Sequence, residues 1–209
     1  MKQDMLAQQE RAYAVWAMFY DAVYRRLLAP FQRRAAETAA RVGPRILEIG
    51  AGTGLVLRYY PAGTEVIASD LSVAMLKKAS DKVRDERLDQ VAGVVAMDAC
   101  RLAFADATFD AVTVPFVITL VPDPEGALDE IARVLKPGGE IVIASRFGAE
   151  DGLQARVEAA LGPAMKRIGW SSDFRLSRIE AWAARRGDVA KLDEWAPFFF
   201  KVVRFAKRR

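Results

Sequence analysis

The chain has 209 residues, 52% hydrophobic and 28% charged, with one cysteine, no histidine and a net charge of +4, enough for one well-cored domain. A lone thiol, Cys100, excludes an intramolecular disulfide, and the lack of imidazole excludes a Ser-His-Asp triad or a His-ligated metal. Residues 1–45 carry +4, residues 46–145 carry −6 and residues 146–209 carry +6, so the basic ends either serve solubility or face an anionic partner such as phospholipid headgroups or nucleic acid.

In the first segment Tyr13, Trp16, Tyr20, Val23 or Tyr24, and Leu27 fall at helical spacing, with Gln8, Arg11, Asp21 and Arg25 largely opposite. This predicts an amphipathic N-terminal helix that either packs over a site as core or lies in a membrane interface, with Arg25, Arg26, Arg33 and Arg34 toward headgroups. The first 26 residues contain no continuous apolar stretch of the signal-peptide kind. The longest uncharged run, Ala111 to Pro122, has 12 residues, too few to span a bilayer. A cytoplasmic location is the expectation.

From residue 45 onward, β-branched runs over 45–49, 65–70, 91–97, 109–114 and 140–145 alternate with helical patterns over 55–60, 72–87 and 124–135. Such alternation predicts an α/β fold with a parallel sheet. Ser72 and Asp123 are suited to cap the second and third helices. Lys136-Pro137-Gly138-Gly139 then stops the third, since proline cannot continue a helix and glycine permits a positive φ before Glu140. Helices over 154–166 and 175–185 and strands over 189–194 and 198–205 complete the pattern. Without a long Gly, Ser or Pro linker, 1–209 reads as a single domain: a helical lid or membrane segment over 1–44, a ligand-binding core over 45–146, and C-terminal helices and strands over 147–209.

The strongest chemical signal is Glu48-Ile49-Gly50-Ala51-Gly52-Thr53-Gly54, at the first strand-to-helix turn. A dinucleotide fingerprint needs its third glycine at position 55, which is leucine, and no Walker lysine follows. Glu48 would repel a pyrophosphate and suits a ligand carrying a cationic amine. Asp70 ends the second strand 20 residues after Gly50, where a carboxylate can accept both hydroxyls of a ribose, and Asp98 follows the third strand in the same way. Each alone would more often be a helix cap, but three loops in register on successive strands describe a nucleoside site.

These residues resemble the motifs of the class I S-adenosylmethionine-dependent methyltransferases: Glu48–Gly54 the first motif, Asp70 the ribose acid, Met97-Asp98-Ala99 the adenine-contacting segment, and Leu135–Gly139 the turn before the fifth strand. The resemblance covers about 45–146. It implies a Rossmann-like, seven-stranded, mostly parallel sheet of order 3-2-1-4-5-7-6, its last strand antiparallel, with helices on both faces. It also implies S-adenosylmethionine as cofactor and S-adenosylhomocysteine as product, with no metal, and Tyr20, Glu48, Gly50, Ala51, Gly52, Gly54, Asp70, Leu71, Met97, Asp98, Ala99 and Pro115 as cofactor-binding positions.

For the acceptor, the strand-4 segment Val114-Pro115-Phe116-Val117 lacks the Asn-Pro-Pro-Tyr pattern of base and glutamine methylation, so a flipped-base pocket is unsupported. The stretch Trp16–Arg26, with Val117–Glu125, resembles instead the soluble bacterial phosphatidylethanolamine N-methyltransferases. That resemblance implies stepwise N-methylation toward phosphatidylcholine by an enzyme held peripherally on an anionic membrane surface, without nucleic acid or an obligate protein partner. Where an Asn-His-Phe type of sequence is expected after the fifth strand, this chain has Ser145-Arg146-Phe147; Arg146 suits a lipid phosphate or, equally, a salt bridge. Tyr20, Tyr24 or a water-relayed carboxylate are candidates to accept the amine's proton, and Tyr13, Tyr20, Tyr24, Phe116 and Trp195 to face the methylated cation. The competing readings are a soluble or quinone-like acceptor, an RNA substrate, and a non-catalytic cofactor-binding module.

Overall fold

The computed structural model describes residues 26–148, 174–197 and 200–209. Seven strands form one sheet: β1 (Arg45–Ile49), β2 (Glu65–Asp70), β3 (Val91–Ala96), β4 (Phe109–Pro115), β5 (Leu135–Ser145), β6 (Val189–Trp195) and β7 (Lys201–Lys207). Their order is β3-β2-β1-β4-β5-β7-β6. Pairings are parallel from β3 to β5, and β7 runs antiparallel to both β5 and β6. This is the order and sense that the motifs imply, on a Rossmann-like framework.

Both faces are covered, which is why the central strands are apolar at nearly every position. On one face the helix α1 (26–42) buries Leu28, Phe31, Ala35, Ala36 and Ala39 against Ile46, Val66, Ala68, Ala111, Val142 and Val202. Its run of alanines lets the helix axis approach the sheet closely. On the other face α3 (Pro124–Val134) and α4 (Leu176–Arg186) pack Leu128, Ile131, Ile179 and Trp182 onto Leu47, Val112, Val114, Ile141, Ile143 and Phe205. Between β2 and β3, α2 (Val73–Asp85) is capped as expected, Ser72 Oγ accepting the Met75 N–H, and Asp123 Oδ1 accepts the Gly126 N–H at the start of α3.

Several boundaries move. The helix expected over 55–60 is only a 3₁₀ turn, Leu57–Tyr59: the space between the glycine loop and Pro61 is too short to nucleate an α-helix. The third helix ends at Val134, and Leu135 is already extended, pairing with Phe109 before the register shifts. Gly138 does adopt a positive φ, +80°. The last strand begins at Lys201 rather than 198. The helix expected over 154–166 and most of the N-terminal stripe, Tyr13 to Tyr24, lie outside the described residues. No helix among the described residues is long and apolar enough to cross a membrane.

The densest basic cluster is largely consumed internally. Arg204 bonds Glu140 and Asp193, Lys201 pairs with Glu194, and the Lys207 ammonium donates to the carbonyls of Ala132 and Leu135. Because β7 is inserted between β5 and β6, its polar side chains meet acids on both neighbours. Lys201, Arg204 and Lys207 are thus spent on holding β7, whereas Arg208 and Arg209 are exposed, as are Arg33 and Arg34 on α1.

Candidate active site

At the carboxyl end of β1 the chain turns through Gly50 (φ +72°) and Gly52 (φ +54°), conformations that favour glycine. Space decides the first: a Cβ on Gly50 would sit 2.5 Å from the Val117 Cβ, whereas one on Gly52 would meet nothing within 4 Å. Buried Ala51 donates its N–H to the Ser69 carbonyl and accepts the Gly54 N–H, which closes the loop. The Lys82 ammonium on α2 reaches the Thr53 carbonyl at 2.9 Å.

Asp70 is the hub of the neighbouring loop. Its Oδ2 accepts the Gly52 N–H and its Oδ1 the Ser72 N–H, both at 2.8 Å. The carboxylate is therefore both a loop brace and an open acceptor, because each oxygen keeps a second lone pair. Gly50, Asp70, Leu71, Met97, Asp98 and Ala99 line one crevice. Asp98 is exposed and spends Oδ1 on the Cys100 N–H. Pro115 is buried at the end of β4.

The far wall of the crevice, Val117, Leu120, Val121 and Pro122, is absent from the sequence-derived set. In sequence these residues continue an apolar run that resembles a strand. In space the strand stops at Pro115 and a 3₁₀ turn, Ile118–Leu120, folds the rest over the glycine loop. Proline at 115 and the Pro122-Asp123-Pro124 bracket are the signals that mark it. Leu71 and Leu120 both line the crevice and are each 76% exposed.

Glu48 does not line this crevice. Alternation along β1 turns it to the α1 side of the sheet, where it is fully buried. Tyr60 donates its hydroxyl to Glu48 Oε2 at 2.6 Å and shares a second 2.6 Å hydrogen bond with Thr113. Burial pushes the carboxyl up to about 7, against the lowering effect of the Tyr60 bond. Between about pH 4.5 and 7 the unfolded chain therefore gives up a proton that the folded chain keeps, so stability falls as pH rises through that window. Glu48→Gln is expected to remove about 3 kcal/mol of that decline, read as the difference in urea unfolding between pH 5 and pH 8 without cofactor. An unchanged decline would mean that Glu48 is ionised throughout.

Toward the acceptor side, Phe116 carries φ +60°, an uncommon conformation for an aromatic residue, and its N–H donates to the Ala144 carbonyl at 2.6 Å. Its ring meets Phe200 edge-on at 5.8 Å, Phe200 meets Phe31 at 5.2 Å, and Phe31 meets Trp195 at 5.2 Å. One face of Trp195 already carries the Arg34 guanidinium at 5.7 Å, so that face is not available to a substrate cation. Arg146 follows β5, its Nε and Nη1 shielded from solvent. Tyr20 and Tyr24 lie outside the described residues.

A loop that needs glycine, two acids on successive strand ends and flanking leucines suit the nucleoside part of S-adenosylmethionine. The chain belongs to the class I S-adenosylmethionine-dependent methyltransferases. Residues 47–143 match the methyltransferase domain family. Phosphatidylethanolamine N-methyltransferase of Cereibacter sphaeroides is 38% identical over 199 residues, 95% of this chain and 97% of that protein. Demethylmenaquinone methyltransferase of Paenarthrobacter aurescens is 45% identical over 105 residues, 50% of this chain and 39% of that protein. The fold is shared with the YcgJ protein of Bacillus subtilis (TM-score 0.68, 19% identity, 83% of this chain and 96% of that one). It is also shared with a SAM-dependent methyltransferase of Aquifex aeolicus (TM-score 0.62, 16% identity, 83% and 89%).

Proposed function

We propose that this methyltransferase acts on the amine of phosphatidylethanolamine and of its mono- and dimethyl forms, toward phosphatidylcholine, on the inner face of the cytoplasmic membrane. The observation that carries this reading is the span of the likeness. The Cereibacter enzyme matches across nearly the whole of both chains, whereas the demethylmenaquinone enzyme matches over half of this one. The acceptor is selected by segments outside the shared cofactor core, so a match that includes them is the more informative.

The bound cofactor supplies an electrophilic methyl group on sulfonium. The protein's part is to align the amine with it and exclude water. Asp70, Leu71, Met97, Asp98 and Ala99 hold the nucleoside portion, with Gly50 and Gly52 giving close approach. Arg146, just after β5, takes the lipid phosphodiester, for which its forked donors suit. Phe116 faces the methylated cation, and Tyr20, Tyr24 or a carboxylate through water accepts the ammonium proton. Arg33 and Arg34 on α1 are exposed, stacked on Tyr59 and Trp195, and paired with no carboxylate among the described residues. With Arg26 and half-exposed Leu27 they favour an anionic, apolar-centred surface such as a bilayer.

Expression in a bacterial host rich in phosphatidylethanolamine and unable to make phosphatidylcholine is expected to yield mono-, di- and trimethylated headgroups by lipid mass spectrometry. An unchanged lipid profile with folded, cofactor-binding protein would refute the lipid acceptor. The second reading, a quinone-like acceptor, rests on the 45% identity of the core to the demethylmenaquinone enzyme.

A further inference from the structure

A sheet covered on both faces still has two edges, and an edge left bare accepts another strand unless charge, proline or a bulge blunts it. The two edges of this sheet differ. β6 carries Lys191, Asp193 and Glu194, and its register with β7 shifts between Lys191 and Asp193. β3, at the opposite edge, reads Val91-Ala92-Gly93-Val94-Val95-Ala96, with no charge and no proline, and its register shift toward β2 falls at its start, where Ala92 is skipped. The Met97 N–H donates to the Asp70 carbonyl at 3.1 Å. By alternation Val95 also turns to β2, so Val94 and Ala96 present their backbone N–H and C=O groups outward.

Along that edge runs a groove of about 390 Å³, with Val94 and Ala96 on one side and α2 on the other. α2 contributes Val73, Leu76, Lys77, Ser80 and Asp81, the i, i+3, i+4, i+7, i+8 spacing of a single helix stripe. The helix therefore turns one face to the sheet and a second to the open edge. Val73 is 57% exposed. Lys77 has no ion-pair partner among the described residues, and Asp81 meets Arg84, an exposed residue of its own helix.

The geometry selects a second copy of this chain to cover this edge. α2 packs over both β2 and β3, so a two-fold axis joining β3 to its counterpart would set the two α2 helices two strand spacings apart. That is about 10 Å, the ordinary distance between packed helices. The heights agree as well. Ala96 pairs with Asp70, three residues before Val73, so strand end and helix start share one level. From there Ala79 is about 9 Å along the helix and Val94 about 7 Å along the strand, and one axis serves the middle of both elements. Antiparallel helices related at Ala79 set Lys77 opposite Asp81 of the second copy, twice over. The stripe is thus self-complementary in charge, as an isologous interface requires.

We infer that this chain self-associates through β3 and α2: two copies join as antiparallel β3 strands into one continuous sheet, with their α2 helices paired on one face. The inference is independent of which acceptor is methylated.

The test is sedimentation velocity of the full chain with S-adenosylhomocysteine, from about 1 to 100 µM. The mass is expected to rise from one chain to two, with the Val94 and Ala96 amides gaining protection from hydrogen exchange over the same range. Lys77→Asp places like charges opposite each other twice and should raise the dimer dissociation constant about tenfold or more, as should Asp81→Lys. Both side chains are exposed, so folding and ligand affinity should be unchanged. An equimolar mixture of the two single variants should regain the dimer, because every Asp then meets a Lys, and so should the double variant Lys77→Asp/Asp81→Lys. A monomer throughout, a dimer indifferent to both single variants, or a mixture that stays monomeric would each overturn the inference. Equal protection of the Val94 and Ala96 amides at every concentration would also overturn it, since the chain would then cover its own edge.

Discussion

Gly50→Ala is expected to lower S-adenosylhomocysteine affinity more than a hundredfold and to cost about 2–5 kcal/mol of folding stability. Two terms combine: an L-residue in the left-handed region costs roughly 1–2 kcal/mol, and overpacking adds about 1–3 kcal/mol. The second arises because the new Cβ would lie within 2.6 Å of the Val117 Cβ and both its Cγ atoms. A branched side chain at the head of a 3₁₀ turn has little room to rotate away, so the clash is relieved by moving the crevice wall. Gly52→Ala is the control. Its Cβ meets nothing within 4 Å, so stability should fall only by the backbone strain, about 1 kcal/mol. Urea unfolding and ligand titration on the two variants separate the effects, and similar stability losses at both positions would show that Val117 yields freely.

Asp70→Ala should weaken S-adenosylhomocysteine binding by roughly 100- to 1000-fold, the worth of two charge-assisted hydrogen bonds at about 1.5–3 kcal/mol each, partly offset by water. The same change leaves the Gly52 and Ser72 N–H groups without their acceptor, so the loop also loosens. Asp70→Asn keeps the shape and one acceptor oxygen and should fall between the two. Calorimetry measures all three proteins at one pH. Affinity of the Ala variant within a fewfold of wild type would mean that the carboxylate serves the loop alone and the ribose is held elsewhere.

The strand pattern was legible because each parallel strand is buried on both faces and bounded by turn residues. The sequence-derived limits of β1 and β2 coincide with those in the structure, and β3, β4 and β6 differ by a residue at one end. Helix ends were less legible where tertiary contacts cut them short, as in the turn Leu57–Tyr59. There Tyr60, which reads as part of an apolar helix face, is instead drawn under the sheet to meet Glu48.

The crevice at the strand ends was legible for a related reason. Its residues act through the backbone or through short carboxylates at strand ends, and spacing along the chain fixes where those fall. Gly50, Asp70 and Asp98 do line one crevice, and Gly52 is bonded to Asp70. The opposite wall from Val117 to Pro122 was not legible, because an apolar run has the same appearance whether it continues a strand or folds over a loop.

The amino acid sequence by itself determined the order of elements, the glycine loop and the acids that follow β2 and β3, since local conformation and strand burial depend on residues near one another in the chain. Only the tertiary structure decided which charges remain free and which are spent. Lys201 and Arg204 are paired with acids on β5 and β6 brought beside them by strand order, whereas Arg33 and Arg34 are left exposed on aromatic rings. It also decided that Glu48 is a buried carboxyl held by Tyr60 and Thr113, 12 residues away and on another strand. Charge state and proton affinity follow from desolvation and from partners distant in sequence, and those exist only once the chain is folded.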